Sequence, residues 1–513
     1  MHRLSPQGVD KPVDDTPERG WIRPLTGPDR VHRLWMGESC PAAPDPGGGG
    51  ARSAGAGGPG GTRPTLGVDD VMRRRARERD EVLRLAVPAL GALVAEPLFL
   101  LVDSAVVGRL GSEALAGLGV AGAVLATAVS VFVFLAYATT AAVARRAGAG
   151  DLGGALADGV AGLWLAAGLG TLTLVVGWFA APAVVGAFGP EPAVAGQAVT
   201  YLRWSLPGLP AMLVVLAATG VLRGLRDTRT PLLVAGAGAV LNAVLNVVLV
   251  HGTGMGIAGS GLGTALTQLL MAAAVVTVVV RSAGRAGVGL RPHWRRILAT
   301  GSAGAPLLVR TLALRAVLLV TTAVAAGLGT PVLAGHQVAS AVWGLLALAL
   351  DALAIAAQTL TGHALGAGDV AGARAATRRA LGYGVGGGVV LGLALLAVLP
   401  WLPAAFSDDP AVRSSVVAAL VVAAVCQPLA GYVFVLDGVL IGAGDGTYLA
   451  VASVLQAVGY VPLALAVARW GPDGVAGLVW LWALFCGGWM AVRAVFLGLR
   501  ERSGAWAVTG AAR

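Results

Sequence analysis

Charge is what this chain has least of. Only 12% of its 513 residues are Asp, Glu, Lys or Arg, about half the usual share of a soluble domain. Too few charges remain to coat a water-facing surface of this size. With 56% hydrophobic residues and a mean hydropathy of +0.77, the chain belongs in a bilayer. Cysteine is scarce and scattered: Cys40, Cys426 and Cys486 lie far apart. That excludes a disulfide framework and a cysteine zinc site. The one lysine, Lys11, follows no glycine-rich loop. A Walker A motif needs Gly-Lys-Ser/Thr, so ATP hydrolysis by that route is excluded. No nucleophile–base pair and no metal-ligand cluster stands at a recognisable spacing, so neither an enzyme nor a cofactor or metal centre is expected. An apolar h-region after the N-terminal Met is also lacking, and with it a signal peptide.

Residues 1–71 are rich in Pro, Gly, Ala and Ser and show no helical periodicity. Such a stretch buries too little apolar surface to order itself. It reads either as a disordered cytoplasmic extension or as sequence upstream of a true start at Met72, which opens an Arg-rich run. From residue 82 onward, apolar segments alternate with short polar breaks. Each segment has the roughly 20 residues that cross about 30 Å of hydrocarbon. Twelve are expected: 82–107, 114–143, 155–180, 199–222, 230–251, 258–280, 297–326, 332–364, 375–400, 411–441, 447–468 and 474–498. Glycine is abundant inside them, as suits helices packing closely in lipid.

Arginine supplies the orientation. Arg73, Arg74, Arg75, Arg77 and Arg79 precede the first segment. Alternate breaks carry Arg145 and Arg146, then Arg223, Arg226 and Arg229, then Arg281 to Arg296, then Arg374, Arg378 and Arg379, and Arg500 and Arg502 follow the last segment. The other side holds only Arg109, Arg203, Arg413 and Arg469. By the positive-inside rule both termini are cytoplasmic, in a multi-pass protein of the inner (plasma) membrane. Only the break at Gly442–Thr447 departs from the pattern. The formal charge of +10 is thereby explained without a nucleic-acid partner.

The two halves repeat at a constant offset of 218 residues. Pro88 pairs with Pro306, Gly148-Ala-Gly-Asp151 with Gly366-Ala-Gly-Asp369, Pro210 with Pro428, and Gly224 and Asp227 with Gly442 and Asp445. Six segments per repeat is an even number, so the halves share one orientation about an axis along the membrane normal. That is the plan of a secondary transporter with its cavity between two lobes. The lobes are expected at 72–285 and 286–505, with a cytoplasmic tail at 506–513. Gly148-x-Gly150-x-x-Gly153 also matches a dinucleotide pattern, but no strand precedes it, and it joins two membrane helices.

Four phrases resemble the MATE (multidrug and toxic compound extrusion) family, in its DinF-like branch. They run from Glu96-Pro-Leu-Phe to Asp103 and on to Gly111, over Leu222–Pro231, over Leu241-Asn-Ala-Val-Leu-Asn246, and over Ala349-Leu-Asp-Ala-Leu-Ala354. The likeness spans about residues 80–500. It implies an all-α fold of two six-helix bundles around a V-shaped cavity. It also implies a monomeric antiporter that exports amphipathic, often cationic small molecules as H⁺ or Na⁺ enters.

A charge at bilayer depth costs at least about 2.5–3.5 kcal/mol, so each one is a candidate for function. Asp103 lies late in the first segment, and the resemblance maps the family's coupling aspartate onto it. Glu96 stands seven residues earlier on the same helical face, about 10 Å deeper, and Pro97 between them is placed to kink the helix. A carboxyl in an apolar cavity has its charged form disfavoured and exchanges protons nearer neutral pH. Asn242 and Asn246, one turn apart, lie at the depth of Asp103. The family usually has Asp at the second position. Asn246 weakens a sodium site and cannot titrate, which favours protons over sodium. Thr264 and Gln268 either line the same cavity or bond neighbouring helices. In the second lobe Arg310 lies about 20 Å into its segment; Arg310 and Asp351 are either functional or a structural ion pair that makes both tolerable in the membrane. Asp437 is a candidate for holding a cationic substrate. His336 and His363 read as interfacial. A flippase for a lipid-linked precursor is the alternative, but it calls for a strongly cationic cavity, whereas the first-lobe candidates are acidic or neutral.

Overall fold

The structure is a computed structural model that describes residues 68–511, with side chains from Glu81 onward. The expectation for the N-terminal extension falls on residues 1–67, outside those described, and on the first turn of the helix that follows. Among the described residues all regular structure is helical. Twelve helices are long and apolar enough to span a membrane: α1 (Glu81–Leu110), α2 (Ser112–Gly148), α3 (Leu152–Gly186), α4 (Pro192–Gly224), α5 (Arg229–Gly252), α6 (Ile257–Arg285), α7 (Trp294–Gly327), α8 (Thr330–Gly366), α9 (Val370–Val398), α10 (Pro410–Gly442), α11 (Gly446–Trp470) and α12 (Gly474–Ser503). All twelve expected segments lie within one turn of these bounds or inside them. The helices overrun their apolar stretches because hydrogen bonding continues into the polar ends. Large apolar side chains such as Phe179, Leu233, Leu319 and Val425 point outward and stay uncovered. In water such a belt would be an aggregation hazard; in a bilayer it is the lipid-facing surface.

In the first lobe α4 packs on α2, α3 and α6, and α5 packs on α1 and α6. In the second, α10 packs on α8 and α9, and α7 on α11. The lobes meet where α8 lies against α1 and α2, and where α7 lies against α2 and α3. The internal repeat is visible in backbone detail. Asp151 and Asp369 cap α3 and α9, each accepting from the backbone N–H three residues on, Gly154 and Gly372, at 2.7 Å. The preceding glycines, Gly150 and Gly368, take left-handed φ values of 79° and 78°, as a helix C-terminus requires.

At this end of the bundle, the one rich in arginine, α2 and α8 cross without room for side chains. A Cβ on Gly148 would lie 2.2 Å from the carbonyl oxygen of His363, and one on Gly366 would lie 2.0 Å from that of Arg145. The two contacts exchange under the 218-residue offset, so the pseudo-two-fold axis runs through this crossing. Arg145, buried at 3% exposure, donates to the carbonyls of Ala443 (2.8 Å), Val508 (2.9 Å) and Gly510 (3.0 Å). His363 Nε2 donates to the Gly224 carbonyl at 2.8 Å, so it bridges the lobes rather than sitting at an interface with lipid. The C-terminal segment is tucked in, with Trp506 fully buried and the Gly510 N–H bonded to the Leu365 carbonyl. The basic end is therefore shut.

Candidate functional site

Two polar sites lie inside the bundle, one in each lobe. The first is built on Asp103. The closely packed helices around it come from small residues: a Cβ on Gly263 of α6 would stand 2.8 Å from Asn246 Oδ1, and one on Gly259 would strike the backbone of Leu249. Asp103 is buried to 3% exposure and accepts a hydrogen bond from Asn246 Nδ2 and another from the Tyr201 hydroxyl at 3.3 Å. Asn246 Nδ2 also donates to Asn242 Oδ1 at 3.2 Å, and Asn242 Nδ2 to Thr264 Oγ1 at 3.5 Å. Tyr201 and Thr264 hydroxyls lie 3.4 Å apart, which closes the ring. No arginine or histidine pairs with Asp103 among the described residues. Asn246 Oδ1 is buried with no donor. Just past Asn246, α5 winds as a π-helix over Val248–Gly252, a distortion common at functional sites.

Four expected residues thus meet: Asp103, Asn242, Asn246 and Thr264. Two do not. Gln268 is buried on α6, one turn beyond Thr264, without a bond to the ring. Glu96 is left uncovered by the neighbouring helices and makes no hydrogen bond or ion pair among the described residues. At its level α1 turns Ala95 into the lobe, against Ala235 and Met271. Spacing puts Glu96 and Asp103 on one stripe, but the neighbouring helices cover that stripe only at the Asp103 end. Tyr201 was not foreseen, because a lone tyrosine in an apolar segment gives no sign of which helix its hydroxyl will reach.

The second site contradicts the Arg310–Asp351 pairing. Arg310 Nη2 donates to Asp437 Oδ2 at 2.7 Å, not to Asp351. Arg493 of α12 donates to the same oxygen. Asp437 is 6% exposed and clamped by two guanidinium groups, so it does not offer a free charge to a cationic substrate. The reason is topological: α10 supplies Asp437, and α7 and α12 approach it from two sides, which sequence spacing within one helix cannot show. Asp351 instead accepts from the Tyr137 hydroxyl, at 3.2 Å and 3.3 Å to its two oxygens. Tyr137 sits on α2, so this bond crosses between lobes, as does Gln358 Nε2 to the Tyr137 carbonyl at 2.8 Å. His336 is also not interfacial. It is 3% exposed, its Nδ1 accepts from Trp482 Nε1 at 3.2 Å, and its Nε2 bonds Thr322 at 3.1 Å.

These residues line a cavity of about 480 Å³ between α2 and helices α7, α8, α10 and α12. One wall is aromatic. Phe485 and Trp489 stack at 5.3 Å, and Trp343 meets Phe485 edge-on at 5.2 Å. The wall is set by a second π-helical stretch, Ala483–Trp489.

Comparison with known proteins accords with this architecture. A family model described as MatE matches residues 88–248 and again residues 306–466, two blocks separated by the offset of the internal repeat. "Protein DETOXIFICATION 44, chloroplastic" of Arabidopsis thaliana is 31% identical over 83% of this chain and 81% of its own. "DNA damage-inducible protein F" of Escherichia coli is 32% identical over 56% of this chain and 63% of its own. A crystal structure of a MATE protein in the bent conformation superposes with a TM-score of 0.76 at 22% identity, over 84% of this chain and 96% of the other. That likeness is one of fold. With the repeat, the twelve spans and a doubly matched family model in agreement, the chain belongs to the MATE family of multi-pass membrane transporters, with DinF among its relatives, and is not an enzyme.

Proposed function

We propose that this chain is a proton-driven antiporter that exports toxic amphipathic compounds by alternating access. It would work as a monomer in the cell membrane, with both termini cytoplasmic. The observation that carries the reading is Asp103: a carboxyl buried in the membrane domain and surrounded only by neutral donors. Buried charges are ordinarily paired, as Asp437 is. A carboxyl left without a cation is the one whose charge a proton can remove at least cost.

Protonation changes the bonding around it. The charged carboxyl accepts from Asn246 Nδ2 and Tyr201. A protonated one has an O–H to place, and Asn246 Oδ1 is a buried acceptor that lacks a donor. Turning the Asn246 amide brings its Oδ1 to the new O–H, and Asn242 turns with it, so that Asn242 Nδ2 donates to Asn246 Oδ1 and Asn242 Oδ1 accepts from the Thr264 hydroxyl. This rearrangement ties the proton to the packing of α1 on α5 and α6. Pro97 lies six residues before Asp103 within a continuous helix, at a point where the i−4 hydrogen bond is missing. α1 can bend there as the lobe reshapes. With the basic end facing the cytoplasm, the tight α2–α8 crossing would close that side of the pathway.

A sodium ion is the second reading, and the same orphan Asn246 Oδ1 favours it, as an oxygen ligand beside a carboxylate. Reconstituted protein separates the two. A pH gradient without sodium should drive efflux of an amphipathic dye, and a sodium gradient without a pH gradient should not. Efflux on sodium alone would reverse the choice of ion.

A further inference from the structure

The second-lobe cavity has the wrong polarity for a cation. Three guanidinium groups face it, Arg310, Arg315 and Arg493, against two carboxylates, Asp351 and Asp437. Asp437 is spent on Arg310 and Arg493, which leaves that triad with a net positive charge. Arg310 is buried and its Nε has no partner. Arg315 is exposed on the cavity wall and makes no hydrogen bond or ion pair among the described residues. Asp351 is occupied at the Tyr137 edge.

The same cavity that holds the Arg315 guanidinium is lined by Trp343, Phe485 and Trp489, with Arg493 lying 4.9 Å from the Trp489 ring centroid. A volume of about 480 Å³ suits a single small molecule.

We propose that this cavity binds an amphipathic organic anion, its carboxylate or sulfonate on Arg315 and its apolar body against the aromatic wall. The inference rests on the antiport reading for its place in a transport cycle, and it replaces the cationic substrate expected from the family resemblance. Guanidinium matches a carboxylate with two parallel N–H bonds, and the aromatic faces cover the ring system that carries it. Two cations on one aspartate make sense in such a site, since they keep Asp437 from repelling an incoming anion. Arg315 is the position that discriminates, because it is the cavity arginine without an internal partner.

Two xanthene dyes of similar shape and opposite charge test this, carboxyfluorescein as the anion and rhodamine 6G as the cation. Binding to the purified full chain in neutral detergent is read by fluorescence anisotropy. Carboxyfluorescein should bind and rhodamine 6G should not displace it. Arg315→Gln should weaken carboxyfluorescein by about tenfold or more, the usual loss for a charge-assisted hydrogen bond, and Arg315→Lys should recover most of it. Arg315→Glu should exclude the anion and admit rhodamine 6G. Arg315 touches no other charged group, so these variants should elute and melt like the parent protein. Tighter binding of rhodamine 6G to the parent, or no change in carboxyfluorescein affinity in Arg315→Gln, would overturn the proposal. The assay needs no ion gradient. Arg315-dependent binding with no pH-driven transport would therefore remove the antiport reading and leave the anion site standing.

Discussion

A single carboxyl among neutral donors is the smallest unit on which function depends here. Asp103→Asn keeps the size and most of the hydrogen bonds of the native ring but cannot titrate. It should leave expression and thermal stability near those of the parent and reduce pH-driven efflux to background. Undiminished efflux by that variant, measured in proteoliposomes, would remove Asp103 from coupling. Asn246→Asp adds a second carboxylate against the first and supplies an anionic oxygen for a cation; efflux should then become sodium-dependent, which a sodium titration at fixed pH would show. Glu96→Gln should be milder than Asp103→Asn, because Glu96 bonds to none of the described residues and stands outside the Asp103 ring. The sequence put Asp103, Asn242 and Asn246 together correctly, because polar residues in apolar segments are few and depth can be counted. It gave no purchase on Tyr201 or Arg493. Each of these lies on a helix whose rotation about its axis is set by packing.

Helices supply the next scale, and their ends carry the argument. Asp151 caps α3, and its carboxyl is held below the ordinary range first by the Gly154 N–H and then by Arg146. A carboxyl depressed in the folded state stabilises it above the unfolded pKa, and that help is lost as pH falls through the folded value. Asp151→Ala should therefore cost about 1 kcal/mol at neutral pH, typical of an N-cap. The gap to the parent should narrow in acid, as followed by thermal unfolding at several pH values. Asp369→Ala should cost about the same, since its cap is geometrically equivalent. The α2–α8 crossing offers a sharper test. Gly366→Val sets a branched side chain against the Arg145 carbonyl, and overpacking of this kind costs about 1–3 kcal/mol. The penalty falls only on the state in which the basic end is closed. Cysteine accessibility at that end should rise by about tenfold per 1.4 kcal/mol. Unchanged accessibility would mean that the crossing is not the gate.

For the whole molecule, arginine distribution and the repeat make one claim about orientation. Ala149→Cys and Ala367→Cys, placed in the two Gly-Ala-Gly-Asp loops of a chain otherwise free of cysteine, should resist an impermeant maleimide applied to intact cells. Both should react in inverted vesicles. Labelling of either from outside would overturn the cytoplasmic assignment of the basic end. The repeat also explains why the two loops must behave alike: each glycine packs on the backbone of the other lobe's helix, so neither can be replaced without moving the axis.

Hydropathy, length and register were enough to determine twelve spans and their grouping in sixes, and four short phrases carried the family resemblance, because each is a property of one segment or of a fixed offset along the chain. Lipid immersion makes the first of these strict, since every backbone polar group must find its partner within its own helix. The choice of partner for each buried charge was different. Arg310 had two aspartates at plausible depth, Asp351 and Asp437, and it took the one that α12 also approached with Arg493. Which faces of three helices converge depends on side-chain volumes and small-residue contacts summed over all of them, and no local pattern contains that sum. The charge of the second cavity, and with it the kind of molecule it suits, was decided only there.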